Sequence, residues 1–201
     1  MALRIGVLAS GRGSNLQAII DAVERNELSA VIAVIVSNNK GAQALERARG
    51  HGIKASFVNP KDFPSREEYE REVVGILKEN GVNLVVLAGY MLIAGRPLLD
   101  AFKKRIINIH PALLPSFPGL HAQRQAIMYG VKFSGCTVHF VDEHLDGGPI
   151  ILQSVVPVLD GDDEESLSQR ILVEEHKLLV SVLKLLSEDK VKVSGRIVRI
   201  L

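Results

Sequence analysis

Apolar runs of strand length alternate with segments of helical spacing through the first half of the chain, and this alternation restricts it to an α/β fold built on a mostly parallel sheet. Leu3 to Ala9 reads as a buried strand, Gly11 and Gly13 break it, and Leu16, Ala18, Ile19, Ile20 and Val23 then recur at helical spacing. Ala30 to Val36 is a second strand, Ala42 to Arg49 a helix, and Ile53 to Val58 a short third strand. The order βαβαβ opens a doubly wound fold. After the loop Asn59 to Pro64, Ser65-Arg66-Glu67-Glu68 supplies a Ser-x-x-Glu capping box for a helix ending near Asn80-Gly81, and Leu84 to Leu87 is a fourth buried strand. Pro97 fits position N1 of a short helix ending near Phe102. Further on, His121 to Tyr129 reads as a helix closed by Gly130, with Ser134 to Val141 and Ile150 to Leu159 as strands. Pro157 keeps the last of these near a sheet edge. The acidic run Asp160 to Glu165 starts a long helix through Leu186, and Val191 to Leu201 is apolar and strand-like. With 201 residues, 47% of them hydrophobic, a single domain over residues 1–201 is expected.

The first strand, its glycine turn and the following helix aim free backbone N–H groups and the positive helix end at one point. Gly13, Ser14 and Asn15 stand there, and a phosphate is the natural guest; the same residues also suit a well-capped helix start with no ligand. A dinucleotide site is disfavoured, because Leu16 replaces the third glycine of G-x-G-x-x-G and Ser37-Asn38-Asn39 brings no ribose-binding acid. A nucleoside-triphosphate loop would end in Gly-Lys-Ser/Thr, which the chain lacks.

Chemistry concentrates at Asn108-Ile109-His110-Pro111-Ala112-Leu113-Leu114-Pro115-Ser116-Phe117-Pro118-Gly119. Ile106, Ile107 and Ile109 suit a buried strand, and alternation then points Asn108 and His110 to the same side. Three prolines stiffen the loop beyond it. An amide can donate to a developing oxyanion and an imidazole can exchange a proton near neutral pH, the two roles that acyl-type transfer needs. On these residues alone, Asn108 as a turn cap and His110 as an ordinary strand-end histidine stays equally open. Leu145-Asp146-Gly147-Gly148-Pro149 adds a carboxylate in a tight loop, where Asp146 could hold and charge His110.

Asn-Ile-His-Pro-Ala-Leu-Leu-Pro followed by Leu-Asp-Gly-Gly-Pro resembles the folate-dependent formyltransferases, and Ser10-Gly11-Arg12-Gly13-Ser14-Asn15-Leu16-Gln17 resembles the phosphate loop of the members that act on glycinamide ribonucleotide. The likeness runs over nearly the whole chain. It implies the formyltransferase fold, with Asn108, His110 and Asp146 as the catalytic set. It further implies transfer of formyl from 10-formyltetrahydrofolate, a co-substrate, to the amine of glycinamide ribonucleotide, giving formylglycinamide ribonucleotide and tetrahydrofolate in de novo purine biosynthesis. Gly13, Ser14, Asn15 and Glu175 would then hold the ribonucleotide, with Glu175 facing its amine. Reduced folate would meet Arg66, Met91, Leu92, Ile93, Ala94, Asn108, Asp142, Glu143, His144, Leu145 and Asp146. Leu92 stands where many members carry Arg, a change that a wall of backbone and apolar contacts tolerates. Read without the resemblance, Arg66 and Glu175 are also solvated helix charges, and Met91 and Ile93 pack under a loop. His121 and His139 could face the same cleft, yet each has an ordinary reading as a loop or strand polar residue, and both stay outside the catalytic set.

Twenty-four basic and 23 acidic side chains give a formal charge of +1, which provides no one-signed field for nucleic acid or an anionic membrane. Cys136 is the lone cysteine, unable to form an internal disulfide and expected to be buried and inert. No signal peptide precedes the first strand and no apolar run approaches the ~20 residues that span a bilayer, so a cytoplasmic protein is expected. His139, Asp142, Glu143, His144 and Asp146 lie close enough in sequence to raise a metal site, but their spacing matches no common ligand pattern, and no metal is expected. A monomer or homodimer is expected. Three alternatives remain: a formyltetrahydrofolate hydrolase and a methionyl-tRNA formyltransferase, both expected to carry extra domains, and a non-catalytic phosphoribosyl-binding module that needs only Gly13 to Asn15.

Overall fold

A computed structural model describes residues 2–201, which form two compact units, one reaching to Ile107 and the other running from Asn108 to Leu201. In the first unit β1 (Leu3–Leu8) lies between β2 (Ala30–Ser37) and β4 (Leu84–Leu87), with β3 (Ala55–Phe57) outside β2; these pairings are all parallel. β5 (Ile106–His110) starts in this unit beside β4, where the Val85 amide donates to the Arg105 carbonyl. Ile5, Val7, Val34, Ile35, Val85 and Val86 are all fully buried, as strands covered on both faces require. Each contributes roughly 1.5–3 kcal/mol relative to an exposed position.

The helices of this unit are α1 (Ser14–Glu24), α2 (Gln43–Gly50), α3 (Arg66–Glu79) and α4 (Arg96–Ala101). α3 packs so closely on β1 that a Cβ at Gly6 would overlap Leu77, and the β1–β2 register shifts at that glycine. Ser65 accepts from the Glu68 amide at 3.2 Å, the forward half of the expected capping box. α4 starts one residue earlier than expected, so Pro97 occupies its second position, where the missing N–H is still harmless.

In the second unit the end of β5 is followed in sheet order by β6 (Phe133–Phe140) and β7 (Ile150–Pro157), and β6 and β7 pair antiparallel. α5 (Ala122–Tyr129) is entered through His121 in the left-handed region, so His121 lies outside the helix, and Gly130 ends it at φ 78°. α6 (Glu164–Ser187) opens with a reciprocal capping box between Asp163 and Ser166 and buries Leu167, Ile171, Leu178, Leu179, Val182 and Leu183. The terminal apolar stretch is a hairpin of β8 (Val191–Ser194) and β9 (Ile197–Ile200), because Gly195 at φ 59° folds it back. Among the described residues no helix is long and apolar enough to cross a membrane.

Candidate active site

In the first unit Gly13 turns the chain from β1 into α1 at φ 70°, and a Cβ there would stand 2.8 Å from both Cα and Cβ of Ala44. Only glycine meets both conditions. The loop is pinned on several sides: Ser10 Oγ donates to Asn38 Oδ1 at 2.6 Å and accepts from the Met91 amide at 2.9 Å, while Arg47 donates to the Arg12 carbonyl at 2.9 Å. No side chain caps α1 at Gly13. Ser14 is half-buried and Asn15 buried, so a fixed loop presents the first-turn N–H groups of α1.

Within the second unit β5 delivers Asn108 and His110 to one side as its alternation requires, and the loop after β6 brings Asp146 to them. His110 is buried and both its ring nitrogens face oxygen: Nε2 is 2.8 Å from the Phe117 carbonyl and Nδ1 is 3.4 Å from Asp146 Oδ2. Only the imidazolium could donate in both directions. Burial nevertheless dominates and holds the His110 pKa below its ordinary 6.5, against the upward pull of the Asp146 carboxylate and the Phe117 carbonyl. The Asp146 carboxylate thus acts in the expected direction, favouring the charged ring, and burial works against it.

Burial pushes the Asp146 carboxyl up, but His139, the Gly119 amide at 2.8 Å and the neighbouring imidazoles together hold it below the usual range. Asp146 is therefore ionised at neutral pH. The Asn108 amide nitrogen lies 3.3 Å from His139 Nε2 and 3.3 Å from Asp146 Oδ1, so its two hydrogens have two acceptors. His139 Nδ1 donates to the Phe140 carbonyl at 2.8 Å, which leaves Nε2 of the neutral ring as an acceptor. Asp146 and Phe117 adopt φ values of 48° and 55°, a left-handed backbone that non-glycine residues hold only where the surroundings enforce it.

The other anticipated residues are distributed as follows. Met91 and Ile93 are exposed, Leu92 half-buried and Ala94 buried. Arg66 is exposed and donates at 3.3 Å to the buried Glu70, which also accepts from the Gly95 amide at 2.8 Å. Asp142 accepts from the His144 amide at 2.9 Å, and Glu143, His144 and Leu145 are exposed in the loop leading to Asp146. The Arg196 guanidinium holds that loop from the terminal hairpin through the Gly147 carbonyl at 2.8 Å. Glu175 is 7% exposed, so the solvated-charge reading of it does not hold. Burial and the Glu175 carboxylate push the Cys136 thiol up to about 12, which keeps it protonated and unreactive at neutral pH. Among the described residues no three His, Cys, Asp or Glu side chains are grouped to hold a metal ion.

His139, kept outside the catalytic set on the sequence, stands with Nε2 3.3 Å from the Asn108 amide nitrogen. It lies on β6 in the buried run from Ser134 to Phe140, and the available signal was a histidine in a run of buried-strand character. The Phe117 carbonyl and Gly119 amide were beyond reach, being backbone groups brought in by a loop.

Residues 3–183 match the family described as formyl transferase. The trifunctional purine biosynthetic protein adenosine-3 of Drosophila pseudoobscura pseudoobscura is 48% identical over 191 residues, covering 94% of this chain, while the chain spans only 14% of that protein's length. The phosphoribosylglycinamide formyltransferase of Escherichia coli (strain K12) is 42% identical over 190 residues, covering 94% of this chain and 90% of the relative. The crystal structure of glycinamide ribonucleotide transformylase 1 from Symbiobacterium toebii superposes with a TM-score of 0.98 at 50% identity, covering 100% of this chain and 94% of that one. The α/β architecture and its mostly parallel sheet are thus shared, and the chain belongs to the formyl transferase family.

Proposed function

We propose that the chain, acting over residues 1–201 as one formyltransferase domain, transfers the formyl group of 10-formyltetrahydrofolate to the amine of glycinamide ribonucleotide, a cytoplasmic step of purine biosynthesis. The observation that carries this reading is the joining of Asn108, His110 and ionised Asp146 in one cluster, reached by β5 and the loop after β6.

The amine nitrogen attacks the formyl carbon, the C=O π pair moves to oxygen, and collapse of the tetrahedral intermediate breaks the bond to the folate nitrogen. Net, one proton leaves the amine and one reaches the departing nitrogen. Asn108 supplies N–H donors for the oxyanion, and both are held by long 3.3 Å bonds that a stronger acceptor can displace. The proton moves at the Nδ1 edge of His110, the edge that faces Asp146, since Nε2 is committed to Phe117. A transient imidazolium formed there is stabilised by Asp146.

Gly13, Ser14 and Asn15 take the ribonucleotide phosphate at the start of α1. Met91, Leu92, Ile93 and Ala94, with Arg66 and the Asp142 to Asp146 loop, take the folate, and Glu175 faces the amine. The test measures formyl transfer to the ribonucleotide, to the unphosphorylated riboside, to methionyl-tRNA and to water under the same conditions. A strong preference for the ribonucleotide is expected; equal rates with the riboside, or preference for tRNA or water, would overturn the substrate assignment.

A further inference from the structure

The backbone between His110 and Phe117 is held by side chains that reach it from β6 and β7. Thr137 Oγ1 donates to the Ala112 carbonyl at 2.6 Å and accepts from the Leu114 amide at 3.1 Å. Gln153 Nε2 lies 2.9 Å from Thr137 Oγ1 and 2.9 Å from the Leu114 carbonyl, so each of its hydrogens has an acceptor. Thr137 and Gln153 stand directly opposite each other in the β6–β7 register.

A hydroxyl has one hydrogen and two lone pairs, and here all three are used. Thr137 is fully buried, so any rotation that broke one of these bonds would leave buried polar groups unpaired, at about 1–3 kcal/mol each. Gln153 completes the set. By occupying one lone pair of Thr137 and the Leu114 carbonyl together, it fixes the hydroxyl hydrogen on Ala112 and the loop at Leu114. That loop begins at the residue after His110 and ends at the carbonyl that accepts from His110 Nε2. The ring and its acceptor are therefore placed by the same brace.

We propose that Gln153 is a positioning residue for His110, acting through Thr137 and the Ala112–Leu114 backbone. This rests on His110 having the role given under the proposed function. Gln153 is itself solvent-exposed, so replacing it removes the two donated bonds with little loss of core packing. Methionine matches its length and lacks the donors. Glutamate would set an acceptor against two oxygens.

The experiment compares wild type with Gln153→Met, Gln153→Glu, Thr137→Val and Thr137→Ser, reading kcat and KM for formyl transfer and the His110 ring resonances by NMR. Both Gln153 variants and Thr137→Val should lose roughly tenfold in kcat, less than the ~10²-fold of an ångström-scale misplacement, with KM for both substrates unchanged. Their His110 Nε2 proton should exchange faster with water. Thr137→Ser keeps the hydroxyl and should retain wild-type behaviour. Wild-type kcat in Gln153→Met, a loss that falls on KM, or a loss with an unchanged His110 spectrum would each overturn the proposal. If wild type itself transfers no formyl group, the proposed function fails instead, and the His110 spectrum still decides whether Gln153 positions the ring.

Discussion

The carbonyl oxygen of Phe117 stands 2.8 Å from Nε2 of His110, so the loop that leaves the histidine returns to hold it. That bond fixes which ring edge is available for chemistry. It also raises the His110 pKa, as does the Asp146 carboxylate, while burial lowers it by more.

Asp146→Asn removes one of the two upward contributions and leaves burial untouched. The His110 pKa, already below 6.5, should fall further, and the acidic limb of the rate profile should move to lower pH with it. NMR titration of His110 in the two proteins checks this; identical titration curves would show that the 3.4 Å pair carries no coupling.

Stability should respond to acid in two stages. A histidine whose folded pKa lies below its unfolded value leaves the folded state fully stable above about pH 6.5 and weakens it as pH falls, because the unfolded chain takes the proton first. The carboxyl of Asp146, also depressed on folding, adds stability that is present above about pH 3.8 and lost as pH falls through its folded value. Urea denaturation across this range should show the early loss diminished in His110→Asn and the late loss diminished in Asp146→Asn. Unchanged pH dependence in both variants would contradict the assignments.

How much of this was legible before the structure depends on the range of the interaction. Alternation along β5 was enough to join Asn108 to His110, and the breaks at Gly11 and Gly13 located the start of α1, because both are local consequences of backbone geometry. The loop residues Asp142 to Asp146 were recognisable as a unit from the Gly147, Gly148 and Pro149 that follow them. The contact of His139 with Asn108 was not, since it depends on β6 lying beside β5 and on Asn108 turning its amide toward it. For His110 the sequence offers the opposite charge of Asp146 but not the burial that opposes it. Glu175 illustrates the same limit, a helix position whose polarity suggested solvent and whose neighbours bury it.

Gly13→Ala should destabilise the fold by roughly 1–3 kcal/mol, from a left-handed backbone together with a Cβ placed 2.8 Å from Ala44. The crowding falls on α2, so a loss of phosphate binding in this variant would combine with distortion of the loop. Gly11→Ala is the control, because nothing lies within 4 Å of a Cβ there. Equal denaturation midpoints for the two variants would refute the packing argument.

Asn108→Ala should lower turnover by about 10²-fold or more, the scale expected when one oxyanion donor is lost. Ribonucleotide affinity should change little, as read by calorimetric titration. Near-wild-type turnover in folded protein would remove Asn108 from the mechanism.

His139 has no direct role in that scheme and is expected to orient Asn108. Its Nδ1 is committed to the Phe140 carbonyl, so the neutral ring offers Nε2 to the Asn108 amide, 3.3 Å away, and the amide is held with its nitrogen toward the cluster. Replacing His139 by alanine removes one of the two acceptors that set this orientation and should lower turnover by roughly tenfold or more, but a buried histidine can matter for packing as well. A double-mutant cycle separates the two effects. If His139 works through Asn108, then once Asn108 is alanine the orientation no longer matters, and the double variant should turn over no more slowly than Asn108→Ala alone. Stability measured in parallel accounts for the cavity, since a packing loss would appear in the denaturation midpoint of both the single and the double variant. Additive losses in turnover would instead assign His139 a function independent of Asn108.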